Sequence, residues 1–189
     1  MNDRRVPENP APFPPFGLAK SERIYQSPWC GLRRDVVRIA SGAEREYHVV
    51  EIGDAVAVVP VLRDGRIVLI GQYRYPHGKT HWEIPAGRLA ENESVEDAAH
   101  RELREETGYR AQRLERLPGF YPTNGISAHF AHAFVARDCE RVYDLDLEDT
   151  EQLVVKTFTR EEIGLLLDAG RIEDAFAAIS LMYWLRRSS

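Results

Sequence analysis

Residues 87–109 read GRLAENESVEDAAHRELREETGY. Ser94 with Asp97 three positions later is the pattern of a helix N-terminus, where such side chains cap free backbone N–H groups. Gly108 is the residue type expected just past a helix C-terminus. The stretch therefore predicts a helix over residues 95–107, preceded by a loop and followed by a turn.

Three glutamates share one face of this predicted helix. Glu102, Glu105 and Glu106 stand at i, i+3 and i+4, so their carboxylates project close to one another. Like charges at such spacing repel, and clustered carboxylate oxygens are the ligands that Mg²⁺ and Mn²⁺ accept. A solvated acidic helix face would carry the same residues, so the glutamates alone leave both interpretations open.

The spacing of the whole stretch favours the metal site. It matches the pattern G-x5-E-x7-R-E-U-x-E-E-x-G-U, with U a bulky aliphatic residue, at every fixed position, and only Tyr109 at the last U is a loose fit. This stretch resembles the Nudix box. The resemblance implies an α/β protein with the Nudix fold, an α/β/α sandwich that has a mixed β-sheet and a loop-helix-loop. It also implies an enzyme that uses Mg²⁺, with Mn²⁺ as a substitute.

The resemblance assigns roles to residues of the box. The metal ligands that it implies are one backbone carbonyl and three carboxylates, from Ala86, Glu102, Glu105 and Glu106. Arg101 would orient a carboxylate from behind the ligands, and Arg101 and Glu105 are predicted to act in catalysis. Glu93 would secure the loop.

Outside the box, the chain resembles ADP-ribose pyrophosphatases and nucleoside diphosphate sugar hydrolases from Leu32 to about Trp184. The motifs that carry this resemblance are LRRD at 32–35, QYRYP at 72–76, WEIPAG at 82–87 and GRIEDA at 170–175. The implied reaction cuts the diphosphate bond of ADP-ribose or a related nucleotide sugar, giving a nucleoside monophosphate and a sugar phosphate. Divalent ions would neutralise the phosphoryl oxygens and make an attacking water more acidic.

Further site residues follow from that branch of the family. The residues predicted to bind substrate are Trp29, Arg33, Arg34, Arg74, Glu83 and Tyr121, the arginines because a guanidinium fork suits a diphosphate. A flexible acidic loop before a late strand supplies the base, and Glu151 is the predicted base, with Glu148 and Asp149 as alternatives. Arg33 and Arg34 as surface residues, and the acidic loop as a solvated turn, are the competing interpretations.

One position departs from the ADP-ribose branch. A proline is typical about sixteen positions past the glycine that ends the box, and Asn124 stands there, with Pro122 two residues earlier. A broader nucleotide-sugar specificity is therefore an alternative, as is hydrolysis of a dinucleoside polyphosphate, a nucleoside triphosphate or coenzyme A. A non-catalytic domain that senses nucleotide sugars is a further alternative, against which the intact box argues.

Composition limits the classes of protein that the chain can represent. With 189 residues, 43% of them hydrophobic, it predicts a single domain, here over residues 21–189. The net charge of −5 gives no overall attraction to nucleic acid or anionic membranes, and no apolar run is long enough to span a bilayer. Cys30 and Cys139 have no metal-ligand or redox spacing, which favours the cytoplasm.

Hydrophobic patterns and turn residues predict the remaining elements. Strands are expected at 33–39, 46–52, 55–62, 67–73, 113–120, 129–136 and 153–158, with a hairpin at Asp64-Gly65. Helices are expected from a Thr159 cap to Leu167 and over 174–187. His129 and His132 would point to opposite faces of a strand, so packing rather than metal binding is expected of them.

The N-terminus has a composition of its own. Five prolines within residues 7–16 disfavour both helix and central strand, and predict an extended arm over residues 1–20. In the relatives that the chain resembles, N-terminal strands are exchanged between subunits. A homodimer is therefore expected, with the strands near 33–52 as candidates for exchange and the arm laid across the partner.

Overall fold

The computed structural model describes residues 7–147 and 152–187, and the chain divides between Glu51 and Ile52 into two units. The N-terminal unit is an antiparallel sheet of strands β1 (Gly17–Gln26), β2 (Gly31–Arg38) and β3 (Glu44–Glu51), in the order β1-β2-β3. Strands β2 and β3 lie within two residues of their predicted bounds.

Strand β1 was not expected from the sequence, which predicted an extended arm as far as residue 20. All ten of its residues are exposed, so its side chains lack the alternation of buried and exposed positions that identifies a strand in a sequence. Pairing with β2 forms it instead, from Gly17 opposite Arg38 to Gln26 opposite Gly31.

The C-terminal unit contains a mixed sheet and three helices in its described part. Its elements are β4 (Ala55–Leu62), β5 (Ile67–Arg74), β6 (Lys79–Glu83), β7 (Ala86–Arg88), α1 (Val95–Thr107), β8 (Tyr109–Arg110), β9 (Arg113–Arg116), β10 (Ala131–Arg141), β11 (Leu153–Phe158), α2 (Arg160–Asp168) and α3 (Ala175–Arg187). The strand order is β11-β5-β4-β10-β8, with β6 on β5, β7 on β4 and β9 on β10. Strands β4 and β10 are parallel, while the other pairs are antiparallel.

Strand β4 joins two hydrophobic cores because its side chains alternate between the two faces of the sheet. Val56 and Val58 pack with Ala98, Ala99 and Leu103 of α1 on one face. On the other face, Ala57, Val59 and Val61 pack with side chains of α2 and α3, among them Ile163, Leu181 and Trp184. Helices therefore cover both faces of the sheet, which confirms the expected α/β/α sandwich with a mixed sheet.

The ends of α1 form as the sequence predicts. The Ser94 side chain accepts a hydrogen bond from the Asp97 N–H, and Gly108 ends the helix in the left-handed conformation at φ 72°. A side chain at Gly108 would also collide with the backbone carbonyl of Tyr143, so both its conformation and its surroundings require glycine. The helix that carries the three glutamates thus has fixed ends.

Two predicted strands have different bounds in the structure. The strand expected at 113–120 ends at Arg116, although Phe120 forms an isolated bridge to Ala131. The strand expected at 129–136 begins at Ala131 and continues to Arg141, so His129 lies in the segment that precedes it. None of the helices in the described residues is long and apolar enough to cross a membrane.

Candidate active site

Two glutamates of α1 lie against β7, which precedes the helix. The Glu106 carboxylate accepts a hydrogen bond of 3.0 Å from the backbone N–H of Ala86. A Cβ atom at Gly87 would overlap the Glu102 carboxylate, so glycine at this position leaves the room that the carboxylate occupies. Glu102 is only 8% exposed and Glu106 only 2%, which is unusual for glutamate. The fold thus brings two carboxylates together with the Ala86–Gly87 backbone.

Arg101 connects the loop before α1 with the glutamates of the helix. Its guanidinium donates to both carboxylate oxygens of Glu93 at 2.8 and 2.9 Å, and to the Arg88 carbonyl at 3.0 Å. It also donates to Glu102 at 2.6 Å and to Glu105 at 3.2 Å. The bonds to Glu93 are the main reason that the pKa of Arg101 is raised and that of Glu93 is lowered. Arg101 therefore stays charged and holds the carboxylates in place.

Glu105 has different neighbours from the other two glutamates. Besides the contact with Arg101, its carboxylate accepts a hydrogen bond of 2.8 Å from Arg104. Two guanidinium groups therefore partly neutralise it. The three glutamates share a helix face, as the sequence predicts, but only Glu102 and Glu106 lie against Ala86 and Gly87 in the contacts described above.

Arg74 and Glu83 form a second charged pair. The Nε and Nη2 atoms of Arg74 donate to the two carboxylate oxygens of Glu83 at 3.0 and 2.6 Å. Glu83 is 4% exposed, whereas the Arg74 side chain keeps 41% of its surface. The hydrogen bonds to Glu83 are the largest cause of the raised pKa of Arg74. A buried carboxylate thus anchors an arginine whose outer side stays accessible.

The Arg74–Glu83 pair and the Ala86–Gly87 backbone lie at one cavity of about 500 Å³ within the C-terminal unit, and Glu102 and Glu106 lie behind that backbone rather than in the cavity wall. Arg74, Glu83, Ala86, Gly87 and Arg88 form part of its wall. The rest of the wall is formed by Ile52, Ala55, Pro76, His77, His81, His129, Glu173, Asp174, Ala175 and Phe176. The volume lies in the range of natural small-molecule sites.

Several polar residues of this wall have no role predicted from the sequence. His81 contacts Glu173 at 3.3 Å and His77 at 3.0 Å, which makes a chain of polar groups along the wall. The Asp174 carboxylate accepts a hydrogen bond from Ala177 at the start of α3, and burial raises its pKa. An aspartate directly before an apolar helix is a sequence signal for a cap, but nothing local shows that it faces a cavity.

Three predicted substrate residues, Trp29, Arg33 and Arg34, lie in the N-terminal unit. Arg33 pairs with Asp35 at 3.0 Å and with Glu51 at 2.9 Å, while Arg34 pairs with a glutamate of β1. Trp29 is 64% exposed. These contacts lie within the N-terminal sheet, and the predicted roles of the three residues stay predictions.

Of the two predicted groups that remain, only Tyr121 lies within the described residues. Tyr121 is 56% exposed, and its ring packs edge-on against Phe130 at 4.9 Å rather than lining the cavity. The predicted base Glu151, with its alternatives Glu148 and Asp149, lies outside the described residues.

The donor set at Ala86 and Gly87 suits a divalent cation. Within residues 7–147 and 152–187, no three His, Cys, Asp or Glu side chains are gathered as a metal centre. Two buried carboxylates beside the Ala86–Gly87 backbone nevertheless supply hard oxygen donors, and the missing side chain of Gly87 leaves room for the Glu102 carboxylate. Ala86, Glu102 and Glu106 could therefore hold a cation, while the Glu105 carboxylate is shared between two arginines.

Comparisons with known proteins agree with this geometry. A family model of the NUDIX domain matches residues 51–178. The ADP-ribose pyrophosphatase of Bacillus subtilis (strain 168) is 32% identical over 163 residues, covering 86% of this chain and 88% of that protein. A methanol dehydrogenase activator of Bacillus methanolicus is 31% identical over 165 residues, covering 87% and 89%. A crystal structure of an ADP compounds hydrolase has a TM-score of 0.83 at 22% identity, over 95% of this chain and 99% of that one, which shows the same fold. The chain belongs to the Nudix hydrolase family and is related to ADP-ribose pyrophosphatases.

Proposed function

We propose that this protein is a Mg²⁺-dependent hydrolase of the diphosphate bond in a nucleoside diphosphate sugar, with ADP-ribose or a close relative as substrate. The observation that carries the proposal is the contact of Glu102 and Glu106 with the Ala86–Gly87 backbone at the edge of a cavity that also contains Arg74. The name of the Bacillus subtilis relative supports ADP-ribose as the first substrate to test.

The proposed cation site consists of the Ala86 carbonyl, Glu102 and Glu106, with Glu105 as a further ligand. Mg²⁺, or Mn²⁺ in its place, would supply positive charge that neutralises the diphosphate oxygens when it is bound. Arg101 positions Glu102 and Glu105 through direct hydrogen bonds of 2.6 and 3.2 Å, and ties them to the loop through Glu93. The chain therefore holds mutually repelling carboxylates in place with its own arginine.

Arg74 is the proposed diphosphate ligand in the cavity. Its bonds to Glu83 use Nε and Nη2, so Nη1 has no hydrogen-bond partner among the described residues and can donate to phosphoryl oxygens. The anchored guanidinium would bind the bridge without losing much side-chain freedom. Trp29, Arg33 and Arg34 are proposed to contact the nucleoside and diphosphate, as in the branch that the sequence resembles.

The proposed reaction adds one water molecule across the diphosphate. Glu151, or failing that Glu148 or Asp149, takes the proton from the water as its oxygen attacks one phosphorus. The bond between that phosphorus and the bridging oxygen breaks, and the bridging oxygen leaves on the other phosphate. The products are a nucleoside monophosphate and a sugar phosphate.

We propose a homodimer in which the N-terminal unit forms the interface. Exposed apolar side chains support this proposal, because Leu18, Ile24 and Tyr25 of β1 are 65%, 48% and 55% exposed, and Phe13 is 90% exposed. Exchange of the strands near 33–52 between subunits is one form that such a dimer takes. The free cysteines Cys30 and Cys139 support a reducing, cytoplasmic location.

A substrate panel tests the proposed reaction. ADP-ribose, ADP-glucose, GDP-mannose, UDP-glucose, a nucleoside triphosphate and coenzyme A are each incubated with the protein and Mg²⁺, and both products are identified. The proposal expects the highest kcat/KM for a nucleotide sugar, with a nucleoside monophosphate and a sugar phosphate as products. A higher value for the triphosphate or coenzyme A would contradict it, as would turnover that is unaffected by a chelator.

Asn124 favours a broader range of nucleotide-sugar substrates for the same reaction. It stands where ADP-ribose hydrolases carry proline, in the segment before β10 that ends at the cavity residue His129. Similar kcat/KM values for ADP-ribose and ADP-glucose in the panel would support a general nucleotide-sugar hydrolase. A value at least tenfold higher for ADP-ribose would support the narrower specificity.

A further inference from the structure

His129 is a buried polar residue of the cavity wall that has no part in the reaction described so far. It precedes β10, is 8% exposed, and lines the cavity together with Glu173, Asp174 and Phe176. The sequence predicted only a packing role for it. A histidine whose sole role is packing has no need to line a cavity.

The ring of His129 is held in one orientation. Its Nδ1 atom lies 2.5 Å from the carbonyl oxygen of Gly53, and the Phe176 ring packs against it at 5.8 Å. The backbone on either side is also tied down, because Ser127 accepts the N–H of His129 and Asp54 accepts the N–H of Phe130 at 3.0 Å. The position and direction of the ring are therefore set before a ligand arrives.

The contact with Gly53 also settles which ring nitrogen carries the proton. A carbonyl oxygen can only accept, so Nδ1 must donate, and in the neutral imidazole Nε2 is then a hydrogen-bond acceptor. The hydrogen bond at Nδ1 is the only one described for the ring, so Nε2 has no partner among the described residues. In its neutral form the fixed ring thus presents a lone pair that these residues leave unused.

The geometry points to His129 as a specificity-determining residue whose Nε2 accepts a hydrogen bond from a hydroxyl group of the substrate's sugar. This inference rests on the proposed hydrolysis of nucleotide sugars. A lone pair repels phosphoryl oxygens and pairs with O–H or N–H groups. Glu173 and Asp174 line the same cavity and also carry acceptor oxygens, part of whose capacity is used by Lys79 and Ala177, so hydroxyl groups suit this part of the wall.

Two variants separate the ligand contact from the contact with Gly53. His129→Asn keeps an amide N–H near the position of Nδ1, and so keeps the donor to Gly53, but has no atom at the position of Nε2. His129→Gln is the matched control, since its longer side chain can carry an amide oxygen near that position. Equal thermal unfolding midpoints for the three proteins show that the fold is kept.

The measurement compares ADP-ribose with analogues in which one hydroxyl of the distal ribose is replaced by hydrogen, and with inosine diphosphate ribose, which lacks the base amine. We expect the unaltered protein to lose about three- to tenfold in kcat/KM on one deoxy analogue, as for loss of one hydrogen bond. The kcat/KM of His129→Asn on ADP-ribose should fall by a similar factor, mainly through a higher KM. On the deoxy analogue that lacks the contact, His129→Asn and the unaltered protein should have the same kcat/KM. His129→Gln should recover part of the loss.

Other outcomes overturn the inference. Equal losses on every substrate and every analogue would identify His129 as a phosphate ligand instead, and an effect confined to inosine diphosphate ribose would assign it to the base. Calorimetric titration with ribose 5-phosphate in the absence of metal gives a second readout, in which His129→Asn should bind several-fold more weakly. If the unaltered protein hydrolyses no nucleotide sugar, the proposed function fails and this inference with it. If it does but all variants respond alike, only this inference fails.

Discussion

The carboxylates of α1 differ in what they contact. Glu105 and Glu106 are neighbours in the box, yet Glu105 pairs with Arg101 and Arg104 while Glu106 is 2% exposed and bound to the Ala86 backbone. This difference depends on where β7 and the arginines approach the helix.

Replacing Glu106 by glutamine should remove most of the activity. The amide oxygen of Glu106→Gln can still accept the hydrogen bond from Ala86, so the fold should persist while the negative charge is lost. We expect kcat to fall at least ~100-fold with Mg²⁺, as for loss of a metal-binding group. Steady-state kinetics and thermal unfolding of the same preparation test this. More than a tenth of the original kcat would contradict the proposed ligand, and Glu105→Gln is the matched control, for which a smaller loss is expected.

Replacing Glu151 by glutamine should affect kcat without affecting metal binding. A residue that only accepts a proton from water contributes to the transition state and not to the affinity for Mg²⁺. We expect a fall in kcat of about 100-fold or more, within the range for general base catalysis. Calorimetric titration with Mg²⁺ should give the same Kd as the unaltered protein. Weaker Mg²⁺ binding in step with kcat would make Glu151 a ligand, and a larger loss in Glu148→Gln would move the base to that residue.

Strand β7 and helix α1 pack closely because Gly87 has no side chain that would displace the Glu102 carboxylate. In Gly87→Ala the new methyl group would meet the flexible end of Glu102, so the carboxylate should move while the strand stays. Displacing a reacting group by about 1 Å can cost on the order of 100-fold in rate, and we expect a loss of that order in kcat/KM. Unchanged activity would show that the position of the Glu102 carboxylate does not matter.

Gly164 in α2 is the matched control for that substitution. A Cβ atom there meets nothing within 4 Å, and the residue lies inside a helix, where glycine is unfavourable. Gly164→Ala should therefore stabilise the protein by roughly 0.5–1 kcal/mol and leave kcat unchanged. Urea unfolding measures the difference. A loss of stability would mean that α2 tolerates no side chain at this position.

Elements could be predicted from the sequence where local chemistry determines them. Helix α1 has a cap at Ser94 and a stop at Gly108, and both lie where the sequence puts them. Strand β1 lacks such a signal, because pairing with β2 forms it and all its side chains are exposed. His129 and Asp174 reach the cavity only through the packing of distant segments, which no local pattern in the sequence records.

The proposed dimer predicts a role for the proline-rich segment at residues 7–16. A chain that starts at Gly17 lacks this segment but keeps all of β1, whereas a chain that starts at Gly31 lacks β1 as well. We expect the full chain to be a dimer in light scattering, the chain from Gly17 to dissociate at a higher concentration with a raised KM, and the chain from Gly31 to be a monomer.

Two results would contradict the proposed homodimer or the proposed role of the proline-rich segment. A monomeric full chain would rule out the proposed homodimer. A chain from Gly17 that keeps both the dimer and the KM of the full chain would confine the interface to the strands. Neither result bears on the carboxylates of α1, since their contacts described above lie within the C-terminal unit.

The two cores that share β4 have an evolutionary consequence. The glutamates belong to α1, which packs on one face of the sheet, while Asp174 directly precedes α3 and Phe176 lies in its first turn, and α3 packs on the other face. Mutations that reshape the α3 side of the cavity therefore need not disturb the packing of α1. Substrate preference can drift through α3 and the segment before β10 while the hydrolytic helix is kept, so an intact box and a changed substrate are compatible within one lineage.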